Sequence, residues 1–148
     1  MKQITEFRNE YYFLSNFYEV PVTYEGITYQ SNESAFQAQK CMTENEKLQF
    51  VKLNASESKH LGRRVHLRPD WEEVKVNIMK DLVRAKFEQN PDLKDKLLAT
   101  GDAYLIEGNN WGDKIWGQVN GQGRNLLGQI LMEVREEIKE RDSIQMER

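Results

Sequence analysis

Three groups of residues carry side chains suited to chemistry. In NESAFQAQK, Glu33, Gln37 and Lys40 are four and three positions apart, a spacing that places them on one face of a helix. A carboxylate, an amide and an ammonium converging on a cleft can stabilise a cation, orient a sugar and hold an anion. The same spacing equally suits an amphipathic helix whose polar face meets water. Residues 59–68, KHLGRRVHLR, contain Lys59, Arg63, Arg64 and Arg68 and no acid. Guanidinium forks match phosphate oxygens, while a surface cluster whose alkyl stems pack on the fold accounts for it just as well. His60 and His66 have no cysteine or carboxylate at helical ligand spacing, so no zinc site is expected.

The third group is WGDKIWGQVNGQGRNLLG, residues 111–128. Trp111 and Trp116 can stack on a base, Asp113 can act as acid, base or ribose ligand, and Asn125 can cap a helix or face a ligand. A loop pinned to the core by its two tryptophans is the alternative. Seven of the nine glycines lie between Gly101 and Gly128, a density that signals turns or backbone brought close to a ligand. The string is not a P-loop, since no GKS or GKT follows, and GQGRNLLG lacks the βαβ context of a dinucleotide fingerprint. Ser15 and Cys41 have no histidine nearby in sequence, which leaves a hydrolytic triad unsupported.

The elements that must position these residues follow from periodicity and caps. Loose alternation over Tyr18 to Tyr29, with Glu25-Gly26 at the turn, predicts a short β-hairpin. Ser31 and Asn32 can cap a helix running to about Met42, and Thr43 with Glu46 opens another toward Leu53. A shorter helix is expected over Ser56 to Leu61, stopped by Gly62. Asp70, with Glu73 three residues on, caps the clearest helix, which should reach Asn90 and Pro91 with Val74, Ile78, Leu82 and Ala85 beside Met79, Val83 and Phe87. Pro91 then fits the first turn of a helix carrying Leu93, Leu97 and Leu98 and ending near Gly101. A short strand is expected over Ala103 to Glu107. The last helix should cover Asn125 to Glu140 with Leu126, Leu127, Ile130, Leu131 and Val134 inward, and its charged tail should fray.

Composition narrows the class. With 148 residues, 39% hydrophobic and 30% charged, the chain can bury about two-thirds of its unfolded surface as one domain. No linker or repeat marks a second one. The expectation is a mainly α, single compact helical domain with a small N-terminal β-hairpin and one or two short strands, its core over about 7–140. A net charge of -3 argues against a general nucleic-acid coat yet leaves room for a local basic pocket. No apolar run approaches the roughly 18 residues a bilayer requires, and MKQITEFRNEYY lacks a secretory apolar stretch, so a cytoplasmic protein without membrane contact is expected. A lone cysteine, Cys41, rules out an internal disulfide framework.

Five strings occur in a telling order: FLSNFY at Phe13–Tyr18, NESAFQAQK at Asn32–Lys40, RPDW at Arg68–Trp71, LLATGD at Leu97–Asp102 and WGQVNGQGRNLLGQILMEVR at Trp116–Arg135. Through them the chain resembles the NADAR (YbiA-like) family over nearly everything from Phe7 to about Glu137. The resemblance implies a mostly helical domain and an N-glycosidase acting on ribose or ADP-ribose joined through nitrogen to a base. The implied substrates are early phosphorylated ribosylamino intermediates of riboflavin synthesis and, in other members, ADP-ribose attached to guanine in DNA. Glu33 and Lys40 match the family's Glu and Lys, and Trp116-Gly117 and Asn125 match its glycine-rich motif. Two departures stand out: Gln118-Val119 replaces the x-Gly that follows WG in many relatives, and Glu19 replaces a common proline.

Cleaving an N-ribosyl bond passes through an oxocarbenium-like transition state, which calls for a carboxylate near C1, help for the leaving base, and cations for phosphate. The resemblance thus assigns Glu33 to cation stabilisation or water activation. Lys40 would bind phosphate or ribose hydroxyls, or attack C1 as a neutral amine. Asp113 would share acid–base work, Trp111 or Trp116 would stack on the base, and Arg63 and Arg68 would hold phosphate with Arg64 in reserve. Asn16, Phe17, Gln37, Trp71, Gly117 and Asn125 complete the expected binding set. Neither a cofactor nor a metal is expected. The partner is a small ribosyl phosphate or ADP-ribosyl compound, with ADP-ribosylated nucleic acid as the larger version. The rival reading is a non-catalytic module that binds ADP-ribose or a nucleotide in the same pocket.

Overall fold

The computed structural model describes residues 2–147. In chain order the elements are β1 (Gln3–Ile4), a 3-10 helix (Asn9–Leu14), β2 (Glu19–Tyr24), β3 (Ile27–Ser31), α1 (Asn32–Ala38), α2 (Glu44–Leu48), α3 (Ala55–Gly62), α4 (Trp71–Gln89), α5 (Pro91–Ala99), β4 (Tyr104–Leu105) and α6 (Leu126–Met146). Helix predominates, and the strands form two sheets of two strands each. Asn16–Asn90 make one compact unit, and the segments up to Ser15 and from Pro91 make another. Among the described residues no helix is long and apolar enough to cross a membrane.

The Asn16–Asn90 unit starts with the expected hairpin. β2 and β3 pair antiparallel, and Glu25 and Gly26 turn between them with φ of 49° and 84°, the left-handed pair that a two-residue turn matched to strand twist requires. Ser31 ends β3 and caps α1, its hydroxyl accepting from Ser34 N. Every residue of α1 is buried, so its polar side chains face protein rather than water.

α1 ends at Ala38, short of the expected Met42, where the chain tightens to bonds three residues back, Gln39 N on Phe36 O, Lys40 N on Gln37 O and Cys41 N on Ala38 O. Arg68 N donates to Lys40 O, and the guanidinium donates to Gln39 O. α2 likewise stops at Leu48 rather than reaching Leu53. The chain continues in tight turns, with Phe50 N on Lys47 O and Leu53 N on Phe50 O, that sink Phe50 into the core.

α3 begins at a capping box the sequence reading missed, Asn54 with Glu57. The helix ends at Gly62 as expected, but without a left-handed glycine cap. Gly62 is the last helical residue, and it has no positive φ. Asp70 does not cap α4. Its carboxylate is taken by the Arg68 guanidinium, at 2.6 Å from Nε and 3.0 Å from Nη2, an interaction stronger than a neutral cap.

α4 buries Ile78, Met79, Leu82, Val83 and Phe87 as expected, while Val74 and Ala85 of the expected stripe are only half-buried. Lys86 shares that face and is 1% exposed. Its Nζ lies 5.2 Å from the Phe87 ring centre and 5.8 Å from that of Tyr18. Burial pulls its pKa down to about 7.

In the other unit β1 pairs parallel with β4, Gln3 with Tyr104 and Ile4 with Leu105. β4 is only two residues long, not Ala103 to Glu107, since Glu107 N turns away to the side chain of Asn125. α5 ends ahead of Gly101, whose φ is 64°. α6 buries Leu127, Ile130, Leu131, Val134 and also Ile138, while Leu126 is only half-buried. The tail expected to fray beyond Glu140 continues as helix to Met146. No Gly or Pro interrupts it after Gly128, and Lys94 Nζ lies 3.6 Å from Asp142 Oδ2.

Candidate active site

α1 carries Glu33 in its first turn, where the positive end of the helix favours a carboxylate. Asn16 holds that turn in place. Its carbonyl accepts from Glu33 N at 2.9 Å and its Oδ1 from Asn32 Nδ2 at 3.0 Å, while its own Nδ2 reaches Met79 Sδ at 3.4 Å. The Asn of FLSNFY is thereby stitched to the segment that presents Glu33. Asn32 was not foreseen as part of this network, and its Oδ1 has no hydrogen-bond partner among the described residues.

Glu33 and Gln37 are neighbours as their spacing predicts. Both are buried, and Gln37 Nε2 donates to Glu33 Oε2 at 2.6 Å. Lys40 lies two residues past the end of α1. Its Nζ donates to Gly62 O at 3.4 Å and lies 5.9 Å from the Trp71 ring centre. Trp71 is in turn packed against Phe36 at 5.0 Å between centroids. Burial lowers the Lys40 pKa from its ordinary value, the nearby Glu33 charge opposes that, and Arg63 and Lys59 add to the lowering.

Lys59 Nζ lies 5.7 Å from the Phe17 ring centre. Its signal was the four-residue step to Arg63 on α3. The structure thus brings together one carboxylate, an amide, three cations and two aromatic faces: Glu33, Gln37, Lys40, Lys59, Arg63, Phe17 and Trp71. A buried carboxylate facing a half-buried ammonium can stabilise developing positive charge at a sugar carbon while the cations take an anionic group.

Two of the basic residues lie outside this group. Arg68, expected to bind phosphate, is held by Asp70 and by Gln39 O. Arg64 lines a groove with Leu53, Glu57 and His60.

In the other unit, the WGDKIWGQ loop is organised around its own polar groups. Asp113 Oδ1 accepts from Ile115 N at 3.0 Å and Trp116 N at 2.9 Å, and Asn109 brackets Asp113 from both sides of its backbone. Trp111 is 55% exposed, whereas Trp116 is half-buried. Asn125, expected to cap α6 or face a ligand, makes no cap bond. It adopts φ of 51°, accepts from Glu107 N and donates to Leu105 O, both at 2.9 Å. A Cβ at Gly117 would collide with Glu107, and one at Gly128 with Leu105 O. These two glycines let the loop and α6 approach the β4 segment. Among the described residues no group of three or more His, Cys, Asp or Glu could hold a metal.

The Asn16–Asn90 unit thus holds a buried carboxylate and amide together with a lysine whose ammonium lies over an aromatic ring. The chain belongs to the NADAR domain family, whose model matches residues 4–139. It is 38% identical over 134 residues to N-glycosidase YbiA of Shigella boydii, covering 88% of this chain and 83% of that one. An N-glycosidase of Nostoc punctiforme is 36% identical over 132 residues, with 84% of each chain covered. A riboflavin biosynthesis protein of Vibrio vulnificus is 41% identical over 134 residues, and this chain spans only 36% of that protein's length. The NMR structure of the Escherichia coli protein YbiA superposes with a TM-score of 0.83 at 34% identity, covering 96% of this chain and 89% of that one.

Proposed function

We propose that this N-glycosidase hydrolyses the bond between C1 of a 5-phosphorylated ribose and the exocyclic amine of a pyrimidine. The single observation that carries the reading is the buried Glu33 carboxylate facing Lys40, within reach of the Lys59 and Arg63 charges. The name of the Vibrio vulnificus relative supports a riboflavin-pathway intermediate as the substrate class.

In the proposed reaction the C1–N bond breaks and its electron pair leaves on the amine nitrogen, which takes up a proton. Positive charge grows at C1 beneath Glu33. Glu33 accepts a proton from a water molecule whose oxygen bonds to C1 and releases it to solvent, replacing the proton that the amine nitrogen takes up from solvent. The products are ribose 5-phosphate and the free aminopyrimidine.

Lys40 acts as a cation. Its ammonium lies over Trp71 and donates to Gly62 O, contacts that offset part of the burial that lowers its pKa, and the position suits ribose hydroxyls or phosphate. Arg63, exposed at the end of α3, provides the phosphate contact, and Phe17 and Trp71 supply apolar walls. Asp113 is not part of this assignment, because its Oδ1 already closes a backbone turn.

The test is incubation of the purified protein with a 5-phosphoribosylamino-pyrimidine and, separately, with an oligonucleotide carrying ADP-ribose on guanine, following products by mass spectrometry. Release of ribose 5-phosphate from the first is expected. Cleavage of the oligonucleotide alone would move the assignment to nucleic-acid repair chemistry.

A further inference from the structure

We propose that Gly62 and Gln37 form a positioning device that aims Glu33, so that a residue of α3 outside the substrate-facing set governs turnover. The inference rests on the reading of Glu33 as the catalytic carboxylate.

A carboxylate only accepts hydrogen bonds, so the 2.6 Å contact fixes the Gln37 amide with its nitrogen toward Glu33. Its oxygen is consequently turned the other way, where it is buried and has no hydrogen-bond partner among the described residues. An unsatisfied buried acceptor is unfavourable. The amide keeps this orientation because its other end makes a short bond to a charged group.

Gly62 provides the space for that orientation. A Cβ at position 62 would collide with Gln37 Oε1 and lie 2.8 Å from its Cδ. The backbone does not ask for glycine there, because Gly62 is helical and has no positive φ. A glycine in a helix is unfavourable relative to alanine, so side-chain room for Gln37 is the reason the structure supplies. Gly62 also touches the other half of the pair, since its carbonyl accepts from Lys40 Nζ at 3.4 Å.

The test is steady-state kinetics on a 5-phosphoribosylamino-pyrimidine for Gly62→Ala, Gln37→Leu, the double variant and Glu33→Gln, with urea unfolding of each. Gly62→Ala gains helix propensity but crowds Gln37 from Oε1 back to Cβ and breaks a buried hydrogen bond, so it should remain folded with a modestly lower unfolding midpoint. Gly62→Ala and Gln37→Leu should each lower kcat by about 10- to 100-fold, the loss of one hydrogen bond to a charged group, with KM little changed. The double variant should be no slower than either single one, because both remove the same contact.

Wild-type kcat in Gly62→Ala, or losses that multiply in the double variant, would overturn the device while leaving an inactive Glu33→Gln to uphold the carboxylate assignment. Full turnover by Glu33→Gln would instead remove that assignment and the device with it. Should Gly62→Ala fail to fold, Gln37→Leu decides, and wild-type kcat there overturns the proposal.

Discussion

Replacing Lys86 by methionine should stabilise the protein, and the gain should depend on pH in a defined way. The amine is enclosed on the apolar face of α4, and burial lowers its pKa from 10.5 to about 7. Each pH unit of that difference is worth about 1.4 kcal/mol, so the charged form is disfavoured inside by about 5 kcal/mol. A methionine of similar length escapes this penalty, so its advantage should be larger near pH 6 than above pH 10.5 by up to about 5 kcal/mol. Below about 7 the lysine is protonated in both folded and unfolded chains, and the full penalty applies. Between about 7 and 10.5 the unfolded chain binds the extra proton, so wild-type stability contributed by this group rises with pH. Above 10.5 both forms are neutral and the gap should close to the packing difference. Urea unfolding of both proteins at intervals from about pH 6 to 10 measures this, and other titrations cancel in the difference. A gap that stays constant with pH, or a variant less stable than wild type at pH 6, would refute the reasoning.

Two further outcomes follow, one in each unit. Lys40→Arg should keep substrate binding within a few-fold while Lys40→Met raises KM about 10-fold or more, the loss of one charge-assisted contact; borohydride should trap no sugar on the enzyme, and a stable adduct at Lys40 would instead make it the nucleophile. Asn125→Ala should lose about 2–4 kcal/mol of unfolding free energy, because Glu107 N and Leu105 O both lose their partner. Urea midpoints with unchanged slope would measure that directly.

Local patterns were legible in the sequence where one short stretch decides the outcome. The Glu25-Gly26 turn, the apolar stripes of α4 and the Glu33–Gln37 contact each depend on spacing alone. What escaped depends on partners distant in the chain. Asp70 reads as a cap until Arg68 claims its carboxylate, and α1 reads as reaching Met42, whereas the chain tightens after Ala38 into a turn that Arg68 holds through Gln39 O and Lys40 O. Gly62 reads as a stop signal, yet its role is set by a glutamine 25 positions earlier. β1, two residues long, is stabilised by β4 about a hundred residues away, and so short a segment has no periodicity to detect. Lys86 left a signal that a charge-blind pattern would have caught, because it stands four positions after Leu82 and three after Val83 on the buried face. The dense glycines were legible as close approach, but the partner at Gly117 and Gly128 is the β4 segment of the same unit.

The assignment of Glu33 is tested most directly by single-turnover cleavage of a 5-phosphoribosylamino-pyrimidine by wild type and Glu33→Gln, with binding measured on the same samples. The substitution keeps the shape of the side chain and removes its charge and basicity. The expected result is a chemical step slowed by about 100- to 10,000-fold, with substrate affinity and unfolding midpoint close to wild type. A Glu33→Gln enzyme that is folded and releases ribose 5-phosphate at the wild-type rate would contradict the account.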